Sequence, residues 1–302
     1  MDLIKDYLAK SLWDKISQIN RDKLKSAEEI RIRCNSPLYL RCGKSFVYIG
    51  GKDEKSAYRP TNKDIEITLN KMSDYSVYAF NDEIKRGYLT LPGGYRVGIC
   101  GSIVYSRDEI ITIKNISSLN IRISRQVKGC ADKLVKGLYN KGFLNTLIIS
   151  PPACGKTTLL RDIIRQLSNK GICIGLVDER SEIAGTYMGV AQNDLGSHTD
   201  ILDGCKKDKG MLMLLRSMGP QIIAADEIGL EEELRCIRQI ANSGVGLLCT
   251  VHATDTDELV KRIEFNKLKE DKLFKRYVVL SSNTGVGTVD AVYDEELKRL
   301  CF

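Results

Sequence analysis

From about residue 133 onward, short apolar runs alternate with segments of helical periodicity, and this alternation restricts the possible folds more than any other feature of the chain. Continuous runs rich in Ile, Leu and Val are typical of strands that are buried on both faces of a parallel sheet. Alternation of such strands with helices predicts a doubly wound, mostly parallel α/β sheet. The predicted strands are 146–150, 172–178, 221–227 and 246–253, and the predicted helices are 156–168, 210–218, 231–242 and 256–264.

The sequence before this region has a different pattern. An amphipathic N-terminal helix, short alternating segments such as EEIRIRC and a helix over about 63–84 precede a β-rich block with turns at PGG and RDE. These features predict a smaller α+β domain with an antiparallel sheet. We therefore predict two domains, residues 1–128 and residues 129–302, and the second is predicted to be a RecA-like P-loop core.

Residues 146–162, TLIISPPACGKTTLLRD, place a phosphate-binding motif where the first apolar strand becomes a helix. In a P-loop (the Walker A motif), backbone N–H groups and a helix N-terminus surround the phosphates, the Lys neutralises their charge and the next hydroxyl binds Mg²⁺. Lys156 and Thr157 occupy these positions, but Ser150 stands where the motif has its first Gly, so a working loop of altered shape and a damaged loop are both open. The predicted nucleotide-binding residues are Ser150, Pro151, Pro152, Ala153, Cys154, Gly155, Lys156, Thr157 and Thr158.

Two adjacent acids follow the apolar run IIAA, at the carboxyl end of a predicted strand. This is the edge at which open α/β sheets bind ligands. We predict that Asp226 orients Mg²⁺ together with Thr157, and that Glu227 polarises the attacking water. The next strand ends in His252, which is either a sensor of the γ-phosphate or a structural residue.

The strand predicted at 172–178 also ends in charged residues at the ligand edge, among them Glu179 and Arg180. Two interpretations are open for these residues. They are either accessory groups of the site, with the Arg acting between subunits, or solvated charges at the end of a strand.

The distribution of charge along the chain indicates which kinds of partner the protein could bind. The net charge of +7 is uneven, because residues 1–128 hold 23 Lys and Arg against 15 Asp and Glu (+8), and the remainder holds 46−23 = 23 against 39−15 = 24 (−1). A basic half is compatible with phosphates, anionic lipid or an acidic neighbouring subunit.

No apolar run approaches the roughly 20 residues that span a bilayer, and the N-terminus lacks a signal-peptide pattern, so we expect an intracellular protein. Ten cysteines without a C-x-x-C pair and only two histidines argue against a zinc site or a disulfide scaffold.

Several segments, taken together and in order, resemble known families. LLRSMGPQIIAADE at 214–227 and SGVGLLCTVHATD at 243–255 resemble the Arg–Pro–strand–Glu block and the Thr-x-His box of the ATPases of type II secretion, type IV secretion and type IV pili. Nearly the whole chain resembles the stage III sporulation protein AA family. The segments that carry this resemblance are EEIRIRCNSPLYL, GGYRVGICG, NIRISR, SPPACGKTTLLRDIIR, VDERSEIAG, LGSHTDILDGC and GMLMLLRSMGP.

The resemblance implies a cytoplasmic ATPase, peripheral at the inner face of the mother-cell membrane, that energises a secretion-like channel into the forespore. Its cofactors would be ATP and Mg²⁺, and its partners would be membrane proteins of the stage III sporulation channel. Lys156 and Thr157 would contact phosphate and Mg²⁺, Glu227 would be the catalytic acid and His252 the His-box residue. The working form would be a hexameric ring.

In such a ring, the N-terminal domain of one subunit would close on a neighbour's nucleotide. Arg96, Arg122 and Arg125 are the residues that could then reach the phosphates, as ring ATPases often complete charge stabilisation with an Arg in trans. Arg216, in the Arg–Pro block, is a further accessory candidate. One departure from the family pattern is His198, near which an Arg would be expected.

Three other functions stay open on the residues alone. A nucleotide-binding scaffold with little turnover is suggested by Ser150. A nucleic-acid-stimulated motor on the same core is permitted by the basic half, but the sequence shows no aromatic-and-basic stacking pattern, so we expect no stable binding of nucleic acid. A small-molecule kinase would need an Arg-rich lid, whereas the loop at 183–210 carries only lysines near its end.

Overall fold

The computed structural model describes residues 2–74, 80–123, 126–139, 142–281 and 287–301. The chain forms two compact units, residues 1–124 and 125–302. The first is α+β with an antiparallel sheet and the second is α/β with a mostly parallel sheet, which confirms the predicted fold class. The division into domains 1–128 and 129–302 stays a prediction, because compactness does not show that each part folds on its own.

The first unit is a six-stranded antiparallel sheet with short helices. The helices are a 3₁₀ helix Asp2–Tyr7, α1 Lys10–Ile16, α2 Arg21–Ser26, α3 Asn62–Met72 and α4 Asn81–Lys85. The strands are β1 Glu29–Arg33, β2 Tyr39–Cys42, β3 Ser45–Tyr48, β4 Tyr88–Leu91, β5 Tyr95–Ser106 and β6 Glu109–Arg122, in the order β3-β2-β1-β6-β5-β4. Alternate residues such as Ile30 and Ile32, or Val97 and Ile99, are buried, so one side of the sheet carries the core of this unit.

Both predicted hairpin turns of this unit are confirmed. The turn at PGG joins β4 to β5, and the turn at RDE joins β5 to β6. Arg107 and Asp108 both have positive φ, 47° and 65°, which is the backbone geometry that matches the right-handed twist of the flanking strands.

The prediction of a single helix over about 63–84 is wrong. The first helix ends at Met72, where the N–H and the hydroxyl of Ser73 both donate to Leu69 O and Asp74 turns to a φ of 47°. The Ser hydroxyl and the left-handed residue terminate the helix before its apolar pattern ends. Residues 75–79 lie outside the described residues, and the second helix begins at Asn81.

The second unit is an eight-stranded sheet with helices on both sides. Its helices are α5 Asp132–Leu138, α6 Lys156–Ser168, α7 Lys207–Ser217, α8 Glu231–Asn242, α9 Thr256–Val260 and α10 Ile263–Glu270. Its strands are β7 Thr146–Ser150, β8 Ile174–Asp178, β9 Thr199–Asp203, β10 Ile222–Ala225, β11 Gly246–His252, β12 Arg276–Ser281, β13 Thr288–Tyr293 and β14 Arg299–Leu300. The strand order is β14-β13-β12-β7-β11-β10-β8-β9, antiparallel only where β13 and β14 join.

Successive residues of the central strands point to opposite sides, and each side has its own core. Ile148 packs with α5 and α6 on one side, whereas Leu147 and Ile149 pack with α7, α8 and α10 on the other. Burial on both sides explains why these strands are continuous apolar runs. The carboxyl ends of β7, β8, β10 and β11 therefore meet at one edge of the sheet, which is the predicted ligand edge.

Two details of the second unit differ from prediction. The segment between β8 and α7 contains an unpredicted strand, β9, which is parallel to β8. This strand is only partly buried, so its sequence TDILD keeps polar residues and lacks the continuous apolar run of the central strands. The helix predicted at 256–264 is two helices, and the break falls at Arg262, whose backbone is extended.

Candidate functional site

The loop at residues 151–155 joins the end of β7 to the start of α6. Ser150 is the last residue of β7, is fully buried and pairs with His252 of β11, so its backbone follows the strand. The positions with left-handed backbone are Ala153 and Gly155, with φ of 60° and 86°. Because Ser150 does not take a left-handed conformation, glycine is not required there, and the geometry supports a loop of altered shape.

Lys156 begins α6 and is only 5% exposed. Its Nζ lies 3.3 Å from Glu227 Oε1, 3.2 Å from His252 Nε2 and 3.7 Å from Asp226 Oδ1. We call these four residues the Lys156 cluster. A buried ammonium group requires such partners, because desolvation without compensation is costly.

Glu227 is held in an unusual backbone conformation, with φ of 48°. Its N–H donates to Thr250 Oγ1 at 2.9 Å and to Asp226 Oδ1 at 3.0 Å, which fixes the strained residue. Its carboxylate also accepts from Arg180 Nη1 at 3.1 Å. Burial raises the pKa of the Glu227 carboxyl, but Lys156, His252 and Arg180 together lower it further, so the pKa lies below its usual value.

Thr157 and Asp226 offer oxygen ligands on the same side of the cluster. Thr157 Oγ1 donates to Asp226 Oδ2 at 3.4 Å, and the hydroxyl of Thr250 donates to the other oxygen of the same carboxylate. Hydroxyl and carboxylate oxygens are the hard ligands that Mg²⁺ prefers, and the ion usually takes few protein ligands and keeps its waters. The two residues predicted as metal contacts therefore fit Mg²⁺.

His252 connects the cluster to the phosphate loop. Its Nδ1 lies 3.2 Å from Ser150 O, and its Nε2 lies 3.0 Å from Glu227 Oε1. A carbonyl oxygen only accepts hydrogen bonds, so Nδ1 carries a proton in this arrangement and Nε2 faces the Lys and the Glu. The ring is thus oriented by the residue that ends β7.

A second layer of buried charges supports the segment after Arg180. The Asp178 carboxylate accepts N–H bonds from Glu182, Ile183 and Ala184 at 2.8–3.0 Å, and Arg161 donates to the carbonyls of Glu182 and Ile183 at 2.8 Å. Burial raises the pKa of Asp178 to about 6 in spite of these N–H groups. Together these contacts fix the turn from which Arg180 reaches Glu227.

The remaining predicted residues are placed as follows. Pro151, Pro152, Cys154 and Thr158 lie in the loop and the first turn of α6. Glu179 pairs with Lys207, which also contacts Glu233, and Arg216 lies exposed at the end of α7.

The arginines predicted to act in trans lie in or near the first unit. Arg96 and Arg122 face each other across β5 and β6, and Arg125 lies outside the described residues. His198, the departure from the family pattern, donates its N–H to Ser168 Oγ at 2.7 Å and so attaches the segment before β9 to the end of α6.

Thr250 and Arg161 are the residues that sequence reasoning missed. Thr250 is the Thr of the Thr-x-His box, but no sequence pattern shows that its hydroxyl bridges Asp226 and Glu227 after the neighbouring strand. Arg161 could have been noticed, because it falls among Leu159, Leu160 and Ile163 on the buried face of α6. A charge in that stripe requires buried partners.

We expect Thr250→Val to lower any turnover at this site about ten-fold or more while ATP affinity changes little. Valine keeps the shape but removes the hydroxyl that fixes Asp226 and Glu227, and the loss of such buried hydrogen bonds costs about 1–3 kcal/mol of stability. Thr250→Ser keeps the hydroxyl and is the matched control. Steady-state kinetics and urea unfolding measure both effects, and equal turnover in the Val and Ser variants would contradict the positioning role.

Comparisons with known proteins decide the family. The model of the family described as "Sporulation stage III, protein AA" matches residues 2–300. The chain belongs to this family. It is 38% identical over 302 residues to stage III sporulation protein AA of Bacillus subtilis (strain 168), an alignment that covers 98% of this chain and 96% of that protein.

Two solved structures similar to this member of the sporulation stage III protein AA family are an ATPase and a pilus retraction motor. The ATPase DotB of Legionella pneumophila superposes with a TM-score of 0.59 and 16% identity, covering 85% of this chain and 73% of that chain. The pilus retraction motor PilT, solved with bound ADP, gives 0.57 and 14%, covering 88% and 77%. These likenesses confirm the RecA-like ATPase fold. Within the described ranges, none of the helices is both long and apolar enough to cross a bilayer.

Proposed function

We propose that the chain hydrolyses ATP as the motor of a secretion-like channel used in endospore formation. The observation that carries this proposal is the Lys156 cluster, in which Lys156 at the start of α6 meets Asp226, Glu227 and His252 from two neighbouring strands. These are the groups that phosphoryl transfer to water needs. Membership in a sporulation family and the fold of secretion ATPases support the assignment of the motor to such a channel.

The residues of the cluster would act in different ways. The N–H groups of the loop and the N-terminus of α6 would bind the phosphates, and Lys156 would neutralise the β- and γ-phosphate charge. Thr157 and Asp226 would hold Mg²⁺, which supplies further neutralisation of the phosphates. Glu227 would orient and polarise the attacking water through its carboxylate.

Arrival of ATP would rearrange the ion pairs of the cluster. Lys156 and Arg180 both contact Glu227, so γ-phosphate would compete with the Glu227 carboxylate for the same cations. When those cations turn to phosphate, the carboxylate becomes available to water. The chemistry is therefore linked to a change of partners within the site.

A ring of subunits, expected to be a hexamer, would complete the charge stabilisation with an Arg from a neighbour. The ring would work at the inner face of the mother-cell membrane with channel proteins of the same sporulation stage. Arg96 and Arg122 are the candidates for this Arg in the described part of the first unit. Arg180 contacts Glu227 of its own subunit, so it would act as an accessory cation within the site.

The test is steady-state ATP hydrolysis measured against protein concentration, with sedimentation velocity on the same samples. Specific activity that rises as oligomers form is expected if a neighbour completes the site. Nucleotide binding without turnover at any concentration, oligomeric samples included, would instead favour a nucleotide-binding scaffold.

We expect Arg122→Ala to lower kcat about ten-fold or more while the Kd for ATP changes little, because an Arg in trans acts mainly on transition-state charge. Arg107→Ala removes the same charge from the exposed β5–β6 turn and is the matched control. Turnover and equilibrium binding are measured separately. Wild-type turnover in the Arg122 variant would exclude Arg122 from the site.

A further inference from the structure

The six-stranded sheet of the first unit has a second side, opposite its core, on which strand register assembles two continuous rows of residues. The first row, from β4 to β3, is Tyr88, Gly98, Asn120, Arg31, Tyr39 and Tyr48, and the second is Thr90, Arg96, Arg122, Glu29, Arg41 and Phe46. Arg33 on β1 extends the same side. Directly paired residues of antiparallel strands point to one side of the sheet, so we call these residues the outer face.

Aromatic rings and arginines contact one another on the outer face. Tyr39 contacts Phe46 and Tyr48 edge to face, with ring centroids 5.2 and 6.1 Å apart. The guanidinium carbons of Arg33 and Arg96 lie 5.6 and 4.0 Å from the ring centroids of Tyr39 and Tyr88. The rings and guanidinium groups therefore form mixed stacks rather than separate apolar and charged patches.

The outer face is strongly basic. Its rows and Arg33 contribute five arginines and, within the described strands, the single carboxylate of Glu29, a net charge of 5 − 1 = +4. Glu29 pairs with Arg31 at 2.9 Å and so neutralises part of one arginine. Much of the +8 charge of residues 1–128 is thus gathered on one side of one sheet.

The surface also has room for planar groups. Phe46 is 56% exposed at the β3 edge. A Cβ added to Gly98 would meet only Asn120, at 3.8 and 3.9 Å, so the row has a flat position beside Tyr88. Five strand spacings make the face about 24 Å wide, which accommodates about four nucleotides.

We propose that the outer face binds single-stranded nucleic acid. Bases would stack on Phe46, Tyr39 and Tyr48, and the phosphates would pair with Arg31, Arg33 and Arg41, the combination by which sequence-tolerant single-strand binding works. A duplex hides its bases from such rings. An anionic membrane would use the positive charge but not the flat faces of the rings, which suit the planar bases of a single strand.

The first measurement uses fluorescence anisotropy of a fluorescein-labelled 15-nucleotide oligothymidylate with the full chain, without ATP, from 50 to 200 mM NaCl. Saturable binding that weakens with salt is the expected result. Lys156→Ala should bind the oligonucleotide as the wild type does, which separates this site from the proposed hydrolysis. A 15-base-pair duplex should bind more weakly than the oligothymidylate, by a factor of about five or more.

Phe46→Ala tests stacking and Arg41→Ala tests the phosphate contacts, and both residues are exposed, so the fold is retained. Phe46→Ala should weaken binding about five-fold or more, and Phe46→Trp should preserve it. Arg41→Ala should lower the salt slope by about 0.7. Lys55→Ala removes the same charge from the exposed loop before α3. It should change neither the affinity for the oligonucleotide nor the salt slope.

Three outcomes would overturn the proposal. The first is no saturable binding at 50 mM salt, or wild-type affinity in both the Phe46→Ala and Arg41→Ala variants. The second is displacement of the oligonucleotide from the Lys156→Ala variant by an equal concentration of ATP, which would identify a mononucleotide site. The third is tighter binding to vesicles with 30% phosphatidylserine than to the oligonucleotide, with loss of both in Arg41→Ala, which would identify a membrane surface.

Discussion

Lys156→Ala should remove ATP hydrolysis and weaken ATP binding about 100-fold or more. The ammonium group is the cation placed at the start of α6, where the phosphates of a nucleotide would lie. Hydrogen bonds to charged groups contribute about 1.5–3 kcal/mol each, and each 1.4 kcal/mol corresponds to a factor of ten. Isothermal titration calorimetry gives the affinity, and a coupled phosphate-release assay gives the turnover.

Lys170→Ala is the matched control for this variant, because it removes the same charge from an exposed position just beyond the end of α6. It should leave affinity and turnover unchanged. Circular dichroism checks that both variants are folded. Tight ATP binding by a folded Lys156→Ala variant would show that the loop at 151–155 does not hold phosphates in the proposed way.

The sequence was sufficient to predict helices and strands where the local signals for an element agree with its burial pattern. α6 and α8 begin and end at the predicted residues, 156–168 and 231–242. In α6 the left-handed Gly155 starts the helix, and in α8 three acids occupy the first turn, where the helix dipole favours them. The central strands were predictable because burial on both sides leaves no polar alternation in the sequence.

The site was predictable only in outline. That Lys156, Asp226, Glu227 and His252 come close follows from the rule that parallel strands end at one edge. The bond from Thr250 to Asp226, the left-handed Glu227 and the approach of Arg180 depend on side-chain distances between strands that no local pattern encodes.

Long-range register explains the largest gap between sequence and structure. Tyr39, Phe46, Arg96 and Arg122 are up to 83 positions apart in the chain, yet the pairing of β1, β2, β3, β5 and β6 brings them to one side of one sheet. A search for aromatic and basic residues close together in the sequence therefore finds no stacking platform. The helix predicted at 63–84 failed for the opposite reason, since the local cap at Ser73 outweighed a longer apolar pattern.

Glu227→Gln should leave ATP binding intact or make it tighter while lowering turnover about 10²–10⁴-fold, the range that a positioned general base contributes. Glutamine keeps the shape of the side chain but cannot take a proton from water. It also removes the negative charge that holds Lys156 and Arg180 before ATP binds, so both cations turn to phosphate at lower cost. Single-turnover hydrolysis and calorimetry measure the two quantities separately.

Glu231→Gln is the matched control, because Glu231 is an exposed carboxylate at the start of α8 that pairs with Arg235. Its turnover should equal that of the wild type. If Glu227→Gln hydrolysed ATP at the wild-type rate, another group would have to polarise the water. His252, which also contacts Lys156, would be tested next by His252→Ala. If Glu227→Gln instead lost ATP binding, the carboxylate would be holding the loop in shape, and the ion pair with Lys156 would be part of the bound state rather than a partner that phosphate displaces.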